Sequence, residues 1–323
     1  YYCRVRKIER IIITLKPIAF IIRKAKAIKP PGFEGVSLYD VTYFFFTQIN
    51  KIGLNERAAA ISFNIIMAIP AACIFIFTLV PYIPTAKQFN TELLKLTSDI
   101  SPNQNTYNLI KTFLNDFFNK PRTGLLSFGF LLVIFYSSNA MMGIIRAFDK
   151  SVKHQKHYFF QLRLRAIKIT TLLVVLVISS ILILRGHAQL GILIKKFFHI
   201  HGKLKWFNSL RWLVILTLVF YGIAFIYKYA PSVKKRWKLV SPGSLLATFL
   251  TLITTIAFTF WVNNFASYNK IYGSIGTLLI IMLLIFFNSL ILLIGFELNA
   301  SIMQLKLEAE KREQIEKKEN NII

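Results

Sequence analysis

The sequence predicts an all-α fold: a polytopic integral membrane protein with six transmembrane helices, N-terminal interfacial helices and an exterior helical loop. Three observations carry this. Hydrophobic residues make up 55% of the 323 and charged residues 17%, against about 25% charged in soluble domains. The apolar residues gather in long runs, of which Leu278 to Gly295 holds no ionisable side chain, and about 20 such residues cross the hydrocarbon layer as a helix. Finally, 40 Lys and Arg face 14 Asp and Glu, a net charge of +26, and they crowd into alternate connections between the runs.

Runs nearly free of charge place the spans at Ala58–Pro81, Gly124–Ile145, Ala166–Leu184, Trp212–Tyr227, Pro242–Val262 and Ser274–Met303. The chain then divides into a basic N-terminal segment over 1–56, a six-helix domain over 57–303 with an exterior helical loop at 82–123, and a charged tail over 304–323. Of the 40 basic residues, 28 lie in residues 1–57, the connections Arg146 to Lys168 and Lys228 to Lys238, and the tail, while 12 lie in the alternate connections. Positive charge is retained on the cytoplasmic side, so both termini are expected in the cytoplasm. The stretch Arg185 to Arg211, with 6 basic residues, runs against this trend and is outvoted by the others.

A basic balance of this size also suits nucleic acid. Its placement between apolar runs instead points to membrane lipids, especially anionic ones, and no nucleic-acid partner is expected. In the N-terminal segment, basic clusters (Arg4, Arg6, Lys7, Arg10; Arg23, Lys24, Lys26, Lys29) alternate with apolar patches, then come Pro30-Pro31-Gly32 and the aromatic run Tyr43 to Phe46. Helices lying on anionic lipid fit this pattern, as do helices packed across the ends of the spans. In the exterior loop, Ser101-Pro102 reads as a cap with Pro in the first turn, and Ile110, Phe113, Leu114 and Phe117 recur at helical spacing. In the tail, Glu308 with Arg312 and Glu313 with Lys317 pair at i,i+4, which predicts that the last span continues as a solvated helix.

Polar residues inside the spans should face protein or a wet cavity. At 100° per residue, Ser244, Thr248, Thr251, Thr255 and Thr259 of the fifth span fall within about 40° to 60° of one line. Ser274, Thr277, Asn288, Gly295 and Asn299 do the same in the sixth, Arg57, Ala60 and Asn64 in the first, and Asn139, Gly143 and Arg146 in the second. These faces predict either a shared polar interior or close helix packing. In the first reading Arg57, Asn64, Asn139, Arg146, Thr251, Thr255, Asn288 and Asn299 bind an anionic substrate. Pro70, mid-span, frees a backbone carbonyl. Glu297 lies opposite the Asn288 face and is expected to pair with a neighbouring Arg, or to snorkel; Asp149 is within reach of Arg146 at i,i+3.

Three stretches carry a family resemblance: Arg57-Ala-Ala-Ala-Ile-Ser-Phe-Asn-Ile-Ile-Met-Ala-Ile-Pro70, Ser137-Ser-Asn-Ala-Met-Met-Gly-Ile-Ile-Arg-Ala-Phe-Asp149, and a composite C-terminal set. That set joins Ser241-Pro242-Gly243-Ser, a Tyr268-x3-Tyr272-Gly273-Ser turn before the last span, and an exit of Gly295-x-Glu297-Leu-Asn299. On these the sequence resembles the YihY, or virulence factor BrkB, family, once labelled ribonuclease BN, from about Leu38 to Gln304. The resemblance implies a six-helix inner-membrane protein with both ends inside, in a family for which transport or lipid-related roles are suggested. Asp149, where the family often has Asn, and Phe63-Asn64, where a Tyr-containing pair is more usual, depart from its pattern.

The residues argue against an enzyme. His154, His157, His187, His199 and His201 have no carboxylate set beside them except Asp149, so no metal site and no nuclease are expected. No Gly-rich phosphate loop and no GxSxG occur, and no cofactor is expected. Cys3 and Cys73 are too differently placed to bridge, and the stretch Ile11 to Ile22, broken by Lys16 and Pro17, does not read as a signal peptide. The sequence therefore supports a non-enzymatic membrane protein that moves or accommodates an amphipathic, anionic, lipid-like substrate. A membrane scaffold or envelope-assembly partner is the alternative.

A topology test follows from the charge count. A phosphatase that works only outside the cytoplasm, fused after Arg163, should stay inactive, whereas one fused within Arg185 to Arg211 should be active; full activity after Arg163 overturns the orientation.

Overall fold

The computed structural model describes residues 16–49, 53–82, 94, 104–119, 123–152, 159–198, 205–233, 237–264 and 268–320. Regular structure among them is helical: α1 (Lys16–Ala27), α2 (Leu38–Ile49), α3 (Leu54–Leu79), α4 (Gln104–Asn119), α5 (Thr123–Asp149), α6 (Phe159–Phe198), α7 (Lys205–Tyr229), α8 (Pro242–Asn264) and α9 (Tyr268–Asn320). Among the described residues, five segments are long and apolar enough to cross a bilayer: Leu54–Leu79, Thr123–Asp149, Trp212–Tyr229, Pro242–Val262 and Leu278–Ile315. The third span expected from sequence lies in α6, and its described residues are not among the five.

Six helices close a ring in the order α5, α3, α9, α8, α7, α6 and back to α5. The bilayer-facing surface keeps large apolar side chains exposed, such as Phe128, Leu131, Val175, Ile256 and Phe260. Burial concentrates instead at the end of the ring where α3 begins and α5 ends. There Phe148 and Phe296 stack with centroids 3.8 Å apart and planes 4° from parallel, and Tyr227 and Trp237 meet Phe296 edge-on at 6.1 and 5.2 Å. Rings of this size supply much of a core's buried area, and edge-on contacts suit their quadrupoles.

α8 shows how local sequence sets a boundary. Ser241 caps it and Pro242 takes the first helical position, where a missing N–H costs nothing. The Ser244 N–H donates to Ser241 Oγ at 3.2 Å and the Ser241 N–H donates to Ser244 Oγ at 3.0 Å. This is a reciprocal capping box with Ser in place of the usual Glu. The helix then crosses α9 nearly backbone to backbone: a Cβ on Gly243 would overlap the Gly295 carbonyl oxygen, and one on Gly295 would lie 2.5 Å from Tyr227 Oη and 2.6 Å from the Gly243 carbonyl oxygen.

The N-terminal segment packs on the same end. Ser37 caps α2, accepting from the Asp40 N–H at 3.1 Å, and α2 lies on α9 with Val41 and Phe45 buried. Gly32, at φ 92, brings the preceding turn against the Pro242 ring, and Lys306 pairs with Glu34. Of the two sequence readings for this segment, packing across the helix ends describes α2. The basic cluster from Arg4 to Arg10 lies outside the described residues.

Two sequence boundaries change. The turn expected at Tyr268 to Gly276 is helical, with Tyr272 and Gly273 in the first turns of α9; a helical Gly costs only about 1 kcal/mol, which the long helix beyond offsets. α9 also runs unbroken to Asn320, as the paired charges of the tail predict. Pro70 sits inside α3 without ending it and is exposed. The amphipathic helix of the loop is present as α4 with Leu114 buried, while Ser101-Pro102 lies outside the described residues.

The crossing gives a direct test. Gly243→Ala and Gly295→Ala should each destabilise the detergent-purified protein by about 1–3 kcal/mol or more through overpacking. Gly222→Ala, where a Cβ meets nothing within 4 Å, should be neutral or slightly stabilising. Equal thermal midpoints for all three would refute the tight crossing.

Candidate functional site

Two clusters of polar side chains occupy this end of the ring, and they differ in whether their charges are neutralised. In the first, Arg57 of α3 is 9% exposed and Glu297 of α9 is 2% exposed. Arg57 Nη1 donates to Glu297 Oε1 at 3.2 Å, to Ser151 Oγ at 2.6 Å and to the Ala147 carbonyl at 3.1 Å. The Ser151 hydroxyl also donates to Glu297. The guanidinium is therefore fully engaged within the protein. Glu297 makes the ion pair with an Arg that its helical phase suggests.

Beside it, Asp149 accepts from the Ser232 N–H at 2.9 Å and from Ser232 Oγ at 3.0 Å, and Arg165 donates to Ser232 Oγ at 2.6 Å. The expected pairing of Asp149 with Arg146 does not form, because the chain following α7 offers Asp149 a backbone N–H and a hydroxyl together. Asn299 likewise serves the fold: its Oδ1 accepts from the Gly243 N–H at 2.8 Å and its Nδ2 donates to Ser241 Oγ at 2.9 Å. It satisfies the first turn of α8, which leaves no amide atom free for a substrate.

The second cluster surrounds a cavity of about 360 Å³ between α3, α5 and α6, lined by Asn64, Phe135, Asn139, Met142, Gly143, Arg146, Phe159 and Arg163. Spacing along α5 puts Phe135, Asn139, Met142 and Arg146 on one face. Gly143 lets Asn64 lie against α5, since a Cβ there would sit 3.1 Å from Asn64 Nδ2. Asn64 donates to the Ala60 carbonyl at 2.7 Å. From α6, the Arg163 guanidinium covers the Phe135 ring at 4.5 Å and Nη1 reaches Asn139 Oδ1 at 3.5 Å. No carboxylate lines the cavity. Arg146 is exposed and makes no ion pair among the described residues.

The sequence pattern of the virulence factor BrkB family matches residues 45–321. The chain belongs to this family. Among relatives, a Bacillus subtilis (strain 168) protein whose name calls it ribonuclease-like, YfkH, is 25% identical over 253 residues, covering 78% of this chain and 90% of its own. A UPF0761 membrane protein of Pseudoalteromonas translucida (strain TAC 125) is 30% identical over 33% of this chain and 37% of its own. One of Xanthomonas campestris pv. campestris (strain B100) is 31% identical over 33% and 25%. No solved structure matches.

In this BrkB-family chain the residues singled out from sequence thus separate. Asn64, Asn139 and Arg146 come together in the cavity. Arg57 does not: it points into the α3/α5/α9 contact. Thr251 and Thr255 lie away from the cavity on α8; Thr255 is exposed and donates to the Thr251 carbonyl at 2.7 Å, and Thr259 to the Thr255 carbonyl at 2.8 Å. A hydroxyl that bonds its own helix can face lipid without an external partner. Asn288 is half-buried, donates to the Leu284 carbonyl at 2.9 Å, and is also outside the cavity. Sequence reading missed Arg163, which was counted as a loop charge, together with Phe135 and Phe159. The signal available was the register of α6, which begins before the apolar run and so carries Arg163 inward.

Breaking the buried pair tests its part in holding the helices together. Arg57→Leu alone should destabilise the protein by about 3–5 kcal/mol, because Glu297 is left charged and unpaired, whereas Arg57→Leu with Glu297→Leu should recover most of the loss. Unfolding midpoints of the purified variants decide; a single variant as stable as the parent contradicts the pairing.

Proposed function

We propose that this chain is a non-enzymatic, multi-pass protein of the bacterial inner membrane, with six spans counting α6 and both termini cytoplasmic, that accommodates or moves an amphipathic, anionic, lipid-like substrate. The observation that carries the reading is the cavity between α3, α5 and α6. It sets two guanidiniums, two amides and two aromatic rings around one space without a carboxylate to neutralise them. Cations at the cytoplasmic end of the spans, beside an open space, are placed to meet an anionic headgroup. The basic connections support the orientation, and the closed ring of six helices supports counting α6 as a span.

The name of YfkH raises a ribonuclease reading for this chain as well. The cavity argues against it, since its lining among the described residues has no carboxylate or imidazole and two guanidiniums repel the divalent cation that metal-dependent hydrolysis uses. The scaffold alternative draws on α8, where the aligned hydroxyls are spent within the helix.

Accessibility tests the wet cavity. In a background of Cys3→Ser with Cys73→Ser, Asn64→Cys and Asn139→Cys should react with a charged aqueous thiol reagent applied to inverted membrane vesicles, while Leu131→Cys, facing lipid, should not. If neither cavity position reacts, the transport reading fails and the scaffold reading takes its place.

A further inference from the structure

We infer that the cavity is the headgroup end of a lipid track on α5, in which Arg146 and Arg163 together clamp a phosphate group while the exposed face of α5 carries the acyl chains. This rests on the reading above and adds the chemical class of the ligand, its orientation and the role of Arg163.

The track is visible in the register of α5. Phe128, Leu131, Phe135, Asn139, Met142 and Arg146 follow one another at intervals of three or four residues, the spacing of a single helical face. Read from Arg146, that face carries a cation, the buried Met142, an amide, a ring and then exposed apolar side chains. Phe128 is 56% exposed, Leu131 65% and Phe135 47%. At 1.5 Å per residue Arg146 lies about 16 Å from Phe135 along the axis, close to the depth of one leaflet's hydrocarbon, which is half of about 30 Å. A lipid whose headgroup sits at Arg146 therefore lays its chains along this face as far as Phe135. The cation stands at one end of the face and the exposed apolar side chains at the other, as head and chains do in a lipid.

The headgroup chemistry follows from the two guanidiniums. One Arg fork already satisfies both oxygens of a carboxylate, whereas a phosphate group has oxygens enough for two forks and charge enough to offset both. Arg163 is set in advance by Phe135 at 4.5 Å and Asn139 at 3.5 Å, so binding immobilises little of its side chain. Arg146 makes no ion pair among the described residues and stays available. Asp149, the nearest acid along α5, is turned to Ser232.

The test uses the purified full-length protein in detergent. Affinities are measured for dioctanoyl phosphatidic acid, decanoate and inorganic phosphate, on the parent chain, Arg146→Gln with Arg163→Gln, the corresponding double Lys variant, and Leu131→Gln. The parent should bind the phosphatidic acid about tenfold or more tightly than decanoate or inorganic phosphate. The double Gln variant should lose about tenfold or more, and the double Lys variant less, since Lys keeps the charge but not the fork. Leu131→Gln, one turn beyond the reach of the chains, should leave both affinities unchanged, and a loss there overturns the placement of the chains. Arg146 is exposed and Arg163 lines the cavity, so elution as a single species serves as the folding control, and the Lys variant replaces the Gln variant if that control fails. Phosphatidic acid affinity within twofold of the parent in the Gln variant, or in the Lys variant where it stands in, overturns the clamp. Inorganic phosphate binding as tightly as the lipid overturns the track in favour of a soluble phosphate ligand. Equal binding of decanoate and phosphatidic acid, lost equally in the Gln variant, removes the phosphate assignment while leaving the anionic-amphipath reading intact. No binding of any amphipath, with unreactive cavity cysteines, removes that reading itself.

Discussion

The ion pair between Arg57 and Glu297 is the contact on which the arrangement of the helices depends. Removing two charges from water costs several kcal/mol each, so such a pair persists only where further hydrogen bonds complete it. Here Ser151 and the Ala147 carbonyl do so. Because the partners come from α3, α9 and the end of α5, satisfying them fixes the axial register of three helices at once. The stacked rings of Phe148 and Phe296 lie one residue from the partners Ala147 and Glu297, so apolar packing and the polar network enforce the same alignment.

The two polar clusters use the same residue types for opposite ends. Arg57 and Arg146 each share a face with an amide seven residues further into a helix, and a helical wheel treats them alike. Their surroundings distinguish them. Arg57 faces α9, which brings a carboxylate. Arg146 faces α6, which brings another arginine. The neutralised cation holds the fold, whereas Arg146 is exposed and makes no ion pair among the described residues.

Much of this architecture is legible in the sequence because the bilayer enforces a simple rule: apolar runs become helices. Five of the expected spans coincide with long apolar helices, and the Ser241-Pro242-Gly243 entry reads correctly as a helix start. The rest depends on which neighbour a face meets, and periodicity does not contain that information. Asn299 lies on a polar stripe with Asn288, yet one caps α8 and the other bonds its own helix. Thr255 falls on one line with Ser244 and Thr248, but a hydroxyl satisfied by its own i−4 carbonyl is indifferent to where it faces. The Tyr272-Gly273 pair reads as a turn because glycine and aromatic residues often make one, whereas the cooperativity of a long helix absorbs it. Arg163 is hidden by its position at the foot of α6, where a charge beside an apolar run is taken as an anchor.

The capping box of α8, the Gly243–Gly295 crossing, the Arg57 network and the Lys306 contact to Glu34 all lie at one end of the ring. The outward half of α8 presents bulky exposed side chains such as Ile256 and Phe260. Because the polar ties and the glycine crossing fix the register of α3, α5, α8 and α9 at one level, a bilayer thicker or thinner than the apolar spans is met by tilt of the helices about that level rather than by sliding of one helix past another.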